Sequence, residues 1–330
     1  MSPELEKYIA QLDSADIRDN FERLAMQAFS FQYLNNPIYH RYCDLLNIDV
    51  GMINYIEDIP FMPVEFFKSH KVICDDMDAE VVFTSSSTTG TIPSSHYVAD
   101  TSIYRKAFLS GFNQFYGAPE KFCILGLLPA YLERTGSSLV YMVDELIRQS
   151  KHKLSGFFLN NQQELHERIC QLESKSEKYI LIGVSFALLD FAEKYNVKIN
   201  NGIVMETGGM KGRRKEIVRS ELHEILMKSF GLKKIHSEYG MTELLSQAYS
   251  QGDGIYQCSN TMKVLVRETH DPLSVQRKGT GAINVVDLAN IFSCCFLQTS
   301  DLGQVFEDGT FSISGRFDNA DIRGCNLMAI

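Results

Sequence analysis

Residues 83–97 read FTSSSTTGTIPSSHY. Seven hydroxyl side chains (Thr84, Ser85, Ser86, Ser87, Thr88, Thr89 and Thr91) surround Gly90 there, with no Asp, Glu, Lys or Arg between them. The preceding Glu80-Val81-Val82-Phe83 reads as a short β-branched strand entering a turn. A loop of this kind presents hydroxyls and backbone N–H groups to one point, which suits a polyphosphate that must be held without being hydrolysed in place. On composition alone it also reads as a solvated Ser/Thr linker. It is not a Walker loop, because no Lys follows Gly90. What the loop is for must be decided by the rest of the chain.

A chain of 330 residues accommodates two domains or one large α/β domain. A formal charge of −9 argues against a nucleic-acid surface. The N-terminus shows no basic segment followed by an apolar one, so no secretory signal is expected. The longest mostly apolar run, 122–132, is interrupted by Gly126 and Pro129 and is too short to span a bilayer. A soluble, cytoplasmic protein is the expectation. The eight cysteines include no C-x-x-C pair and no zinc-type His spacing, so reduced thiols are expected. Several sit in apolar strands, as Cys123 does in FCILGLL.

Residues 1–50 read as helical, with Ser14 capping a helix that carries Ile17, Phe21, Leu24, Ala28 and Phe29, and a second helix opening at Pro37. The segment 57–68, EDIPFMPVEFFK, is broken by Pro60 and Pro63 and reads as packing against the loop at 83–97 or, equally, as a lid or a plain connector. After a helix over 100–115, strands and helices alternate. Strands are expected at 122–128, 179–184, 202–206 and 234–237, and helices at 137–149, 164–173, 185–195 and 215–230. This alternation predicts an α/β fold with a mixed, mostly parallel sheet flanked by helices, whose ligands gather where the loops leave the strand ends. The Ser/Thr loop, Gly208-Gly209 and 238–243 would be such exits. From Gln251 on, short β-rich segments at 256–266, 281–287, 294–299, 303–305 and 310–314 predict an antiparallel, barrel-like end. The expected division is a helical N-terminus with an α/β core over 1–250, a β-rich subdomain over 251–314 and a hinge-like tail over 315–330.

Three later stretches carry chemistry. Ser237–Glu243, SEYGMTE, would place a hydroxyl and a carboxylate side by side after a strand, one for a phosphate and one for a hard cation such as Mg2+. Alone it also reads as a helix start with a first-turn Glu. Gln298–Gly303, QTSDLG, offers an Asp in a turn that could take two ribose hydroxyls or be only a turn. Gly315–Leu327, GRFDNADIRGCNL, is dense in Arg and Asp, as a solvated terminus would also be.

In this order and combination the stretches resemble the signature of the adenylate-forming enzymes: acyl- and aryl-CoA ligases, peptide-synthetase adenylation domains and luciferases. The Ser/Thr loop is similar to their phosphate loop, Gly208-Gly209 to their adenine-flanking glycines and Tyr239–Glu243 to their Y-G-x-T-E. Asp301 is similar to their ribose-binding Asp, and Gly315–Asp318 to their G-R-x-D hinge. The RGCN at 323–326 is close to the R-G-V-N of phenylacetate-CoA ligases. Within the superfamily the fullest likeness is to the acyl-protein synthetases of the bacterial luciferase system. SEYGMTELLSQAYS, TGGMKGRRKE and DIRGCN carry it, with gaps, from the I-P-x-x-P-V-x-x-F-K at 59–68 to the end.

The resemblance implies roles. Ser86, Ser87, Thr88, Thr89 and Gly90 would hold the ATP phosphates. Gly208, Gly209, Glu238, Tyr239 and Gly240 would border the adenine. Thr242 would contact the α-phosphate and Glu243 the Mg2+, while Asp301 and Arg316 would grip the ribose. The implied reaction activates a carboxylic acid, a fatty acid in that family, to an acyl-adenylate. The acyl group then passes to a thiol, Cys325 by position, for delivery to a partner reductase. Arg323 nearby would lower the thiol's pKa if close in space; otherwise Cys325 merely packs, replacing the Val of the phenylacetate-CoA ligases' R-G-V-N. The basic cluster Lys211, Arg213, Arg214 and Lys215 reads first as an ion-paired surface helix and second as help with pyrophosphate or the substrate carboxylate.

The chain also departs from the pattern. Ser87 replaces the usual glycine of the loop, Ser94 stands where many CoA ligases have Lys, and the hinge is one residue shorter. The sequence stops where a small C-terminal domain begins in CoA ligases, which favours the short acyl-protein synthetases under this resemblance. Two alternatives remain open: a CoA or carrier-protein ligase making a free thioester, and a catalytically silent nucleotide-binding relative.

Overall fold

The computed structural model describes residues 2–85, 92–128, 136–158, 161–208 and 217–316. Helices α1 (Pro3–Gln11), α2 (Phe21–Asn35) and α3 (Pro37–Leu45) open the chain. Phe21, Leu24, Ala28 and Phe29 of α2 are buried on one face, as their spacing requires. Ser14 is not a cap: its hydroxyl donates back to the Gln11 carbonyl, and α2 begins seven residues later. Asn36 caps α3, accepting from the Ile38 and Tyr39 amides, with Pro37 in the first turn. Strand β1 (Met62–Pro63) and the short α4 (Phe66–Ser69) follow.

Strands β2 (Val81–Thr84) and β3 (Ser95–Val98) pair antiparallel as a two-stranded ribbon with Phe83 opposite His96. The Ser/Thr-rich loop therefore joins the strands of this ribbon and does not leave the parallel sheet, a correction to the expectation above. Alternation of apolar residues marked a strand but not its partner. Phe67 of α4 packs edge-on against His96, with ring centroids 5.4 Å apart, so the proline-broken segment lies against the ribbon.

The alternating region follows as α5 (Thr101–Tyr116), β4 (Cys123–Leu127), α6 (Ser138–Ser150), β5 (Gly156–Phe157), α7 (Gln162–Ser174), β6 (Tyr179–Val184), α8 (Ser185–Lys194), β7 (Gly202–Thr207), α9 (Arg219–Phe230) and β8 (His236–Tyr239). Asp100 caps α5, Ser137 caps α6 and Gly231, in the left-handed conformation, ends α9. The helix α9 starts four residues later than its periodicity suggests, after an extended Val218; the lysines and arginines at 211–215 lie outside the described residues. Strands β4 to β8 run parallel, and β4 and β6 are wholly buried, hence their continuous apolar sequences.

The last part comprises β9 (Ala248–Ser250), β10 (Ile255–Cys258), β11 (Met262–Arg267), β12 (Val275–Gln276), β13 (Gly279–Asp287), β14 (Phe296–Val305) and β15 (Phe311–Arg316). The run 256–266 is two strands, separated by a turn in which the Met262 amide bonds the Ser259 carbonyl. Segments 294–299 and 303–305 are conversely one strand, β14. A register shift at Leu302/Gly303 against β15 absorbs the irregularity that reads as a turn in sequence. Among the described residues one sheet runs β12-β11-β13-β14-β15-β10-β9-β8-β7-β6-β4-β5, with β1 parallel to β14. The antiparallel strands therefore continue the parallel ones through β9 and β10, and the mixed α/β architecture expected from sequence is present. Among the described residues no helix is long and apolar enough to cross a membrane.

Candidate functional site

The parallel strands β7 and β8 end together. Their register places Glu206 opposite Ser237 and Thr207 opposite Glu238, so Glu206 and Glu238 point to opposite faces of the sheet. On one face Glu206 accepts from Arg219 Nε at 3.0 Å and from the Ser185 hydroxyl at 3.2 Å, with His223 Nε2 at 3.7 Å. Burial would raise its pKa, but His223 and Arg219 outweigh burial and hold it below the usual value. On the other face Glu238 accepts from the Thr207 hydroxyl. Burial pushes its carboxyl up to about 7, the Thr207 bond offsetting only part and the Glu206 charge adding to the rise.

Gly208 leaves β7 in the left-handed conformation (φ 68°), and its carbonyl accepts from Ser185 at 3.0 Å. Past β8, a Cβ on Gly240 would fall 2.4 Å from Glu238 Oε1, so a side chain there would displace the buried carboxyl. Thr242 and Glu243 then form a turn that belongs to neither helix nor strand. Glu243 is 5% exposed, and among the described residues no cation lies within ion-pair distance of it. Burial raises its pKa, against which act the Ser94 hydroxyl and the more distant charges of Arg316 and Lys68.

Asp301 is reached from across the sheet. It lies on β14, 3% exposed, opposite Arg316 on β15. Tyr239 donates to Asp301 Oδ2 at 2.7 Å and Arg316 Nε to Oδ1 at 2.7 Å. Two acceptor positions of the carboxylate remain, enough for a vicinal diol. This Asp sits on a strand, not in the turn expected, which is why its orientation is fixed by the sheet. The sequence-selected residues Gly208, Glu238, Tyr239, Gly240, Thr242, Glu243, Asp301 and Arg316 thus cluster around the ends of β7 and β8. Ser86, Ser87, Thr88, Thr89, Gly90, Gly209 and Cys325 lie outside the described residues.

Sequence reading missed a second shell of side chains. His96 is fully buried; burial pushes its pKa down to about 4. Its Nδ1 faces the Thr242 carbonyl at 2.8 Å and its Nε2 faces Asn290 Oδ1 at 3.0 Å. Asn290 donates to the Glu243 carbonyl at 2.8 Å. Asp287, also fully buried, accepts from the Leu245 and Ser246 amides at 2.7 and 3.0 Å. Only the alternation of Ser94 and His96 in SSHYV, which sets both on one face, hinted at this arrangement.

The chain's relatives agree with this architecture. It is similar to the long-chain-fatty-acid–luciferin-component ligase of Vibrio harveyi, 23% identical over 330 residues, with 92% of this chain and 86% of that protein covered. It is likewise similar to the protein of that name from Aliivibrio fischeri, 22% identical, with 96% and 88% covered. Among solved structures it resembles 2-hydroxyisobutyryl-CoA ligase in an open conformation with 2-HIB-AMP and CoA. The TM-score is 0.65 at 13% identity, over 90% of this chain and 74% of that one. The same ligase in its thioesterification state gives a TM-score of 0.66 at 14% identity, over 96% and 69%. Those likenesses establish the shared fold. The profile of the family described as acyl-protein synthetase, LuxE, matches residues 11–329, and the chain belongs to that family.

Proposed function

We propose that this acid ligase activates a fatty acid with ATP and Mg2+ and transfers the acyl group to Cys325 for delivery to a partner reductase. The observation that carries the reading is Glu243. It is a buried carboxylate with no cation in contact among the described residues, next in sequence to Thr242, and it feels the charge of Arg316, the partner of Asp301. A desolvated carboxylate of this kind fits Mg2+, which is commonly held by one or two carboxylates together with substrate phosphates. That fits a site where, among the described residues, no cluster of three His, Cys, Asp or Glu side chains could hold a metal alone. Mg2+ bound at Glu243 would supply charge neutralisation of the phosphate oxygens.

In the first half-reaction a carboxylate oxygen of the acid attacks the α-phosphorus of ATP. The bond to the bridging oxygen breaks, and pyrophosphate leaves with the electron pair. The protein's share is positioning and electrostatics. Asp301 would take the ribose hydroxyls, Tyr239 and Gly208 would border the base, Thr242 would donate to the α-phosphate, and 86–90 would hold the remaining phosphates. In the second half-reaction the Cys325 sulfur, having released its proton, attacks the acyl carbonyl and AMP departs. Among the described cysteines, burial pushes Cys43, Cys74 and Cys258 up to about 12 and Cys123 up to about 11. Cys294 and Cys295 are raised further by their burial, and Cys170 is the exposed thiol. Buried, protonated thiols are poor nucleophiles, which supports an acceptor elsewhere.

The test is ATP-dependent labelling with a radioactive long-chain fatty acid, run on a denaturing gel for wild type, Cys325→Ala and Cys170→Ala. The expected result is label on wild type and Cys170→Ala, released by neutral hydroxylamine, and none on Cys325→Ala. Equal label on Cys325→Ala would overturn the acceptor assignment. No label on any, with AMP release once CoA is added, would move the acceptor outside the chain.

A further inference from the structure

The turn that carries Thr242 and Glu243 has no helix or strand to satisfy its backbone. Buried backbone groups must find partners, and here side chains from distant elements supply them. The carbonyl of Thr242 meets His96 Nδ1, the carbonyl of Glu243 takes Asn290 Nδ2, and the amides of Leu245 and Ser246 go to Asp287. His96 and Asn290 also meet each other at 3.0 Å. Asp287 caps one 3-10 turn, Leu288–Asn290, through the Ala289 amide, and Asn290 is the last residue of that turn.

His96 differs from the other two because of where it comes from. It lies on β3, the strand on which the Ser/Thr-rich loop returns, and Phe67 packs edge-on against its ring. One imidazole therefore joins the ribbon bearing the hydroxyl loop to the turn bearing the buried carboxylate. It is fully buried and its Nδ1 meets the Thr242 carbonyl, so its influence on the site runs through the turn that carries Glu243.

We propose that His96 is a positioning residue for the adenylation site: donating from Nδ1 to the Thr242 carbonyl, it fixes the Thr242–Glu243 turn against the ribbon so that Glu243 meets metal-bound ATP. This rests on the reading of Glu243 as the magnesium-holding carboxylate. A plain packing role predicts a general loss of stability, whereas a positioning role predicts a loss confined to ligand states that use Glu243.

Calorimetric titration separates them, using ATP with excess Mg2+ and ATP in EDTA on wild type, Glu243→Ala, His96→Leu and His96→Asn. Asn retains a donor near the position of Nδ1, while Leu retains only bulk. Wild type is expected to bind the magnesium form more tightly. His96→Leu is expected to lose about tenfold of that advantage, the value of one hydrogen bond, with metal-free ATP within about twofold of wild type. His96→Asn restores most of it. Asn290→Ala, which keeps His96 on Thr242, shows a smaller loss of the same kind and serves if His96→Leu does not fold. Equal weakening of both ATP forms, an unchanged advantage in His96→Leu, or no rescue by Asn overturns the inference while Glu243→Ala still behaves as expected. A wild type without any magnesium advantage, unchanged by Glu243→Ala, overturns the Glu243 reading and the inference with it.

Discussion

Two neighbouring regions of the molecule treat buried carboxylates in opposite ways. Around α9 and β15 each acid comes with its cation: Glu206 with Arg219 and His223, Asp301 with Arg316. At the end of β8 the acids have, among the described residues, neutral partners. Glu238 has the Thr207 hydroxyl, and Glu243 has the Ser94 hydroxyl beside it. The consequence is visible in their proton affinities, since Glu206 is held low while Glu238 and Glu243 are raised by burial. A buried charge without a partner is a cost the fold does not recover by itself. It is tolerated where a ligand supplies the missing charge, and such groups concentrate at functional sites. The Glu206 group is satisfied within the chain; the acids at the end of β8 fit the proposed reading, in which a ligand supplies the missing charge.

The largest effect of breaking this contrast is expected from Arg219→Ala. It leaves Glu206 buried with the His223 ring 3.7 Å away and no guanidinium, and also removes the guanidinium 5.3 Å from the Tyr256 ring. A loss of about 3 kcal/mol in urea unfolding is expected; a change within about 0.5 kcal/mol would mean the Glu206 pair contributes nothing net. Glu238→Gln should act in the other direction and by less. The folded carboxyl titrates near 7 instead of 4.5, so the folded state binds the extra proton. Stability should therefore fall as pH rises from about 4.5 to 7 and level off above that. Gln removes the dependence. The variant should gain up to about 2 kcal/mol on wild type at pH 8 relative to the difference at pH 5. A difference that does not change between those pH values would show that Glu238 is ionised in the folded protein after all.

How much of this was legible in sequence follows from how local each signal is. The parallel strands β6 and β7 and the helices α5 and α6 were plain because apolar runs, caps and periodicity are short-range properties. Ser14 misled because a hydroxyl before an apolar period can bond backward to its own turn as readily as forward. Asp301 was found but misplaced in a turn, because a bulge in β14 looks like a turn when its partner β15 is not known. The cluster Tyr239, Glu243 and Asp301 was reachable only through family motifs, since nothing local ties residues 62 positions apart, as the Tyr239–Asp301 bond does. His96, Asn290 and Asp287 were invisible for the same reason: their chemistry is to satisfy backbone groups 41 to 146 residues away. A residue that serves another residue's backbone leaves no pattern of its own.

The most direct test of the account is acid-dependent exchange of labelled pyrophosphate into ATP, measured on wild type, Glu243→Ala and Asp301→Ala. Exchange in the wild type only when a fatty acid is present, reduced about a thousandfold in Glu243→Ala and about a hundredfold in Asp301→Ala, is the predicted result. Exchange at wild-type rate in both variants would contradict the site, and no exchange by the wild type with any acid would contradict the chemistry.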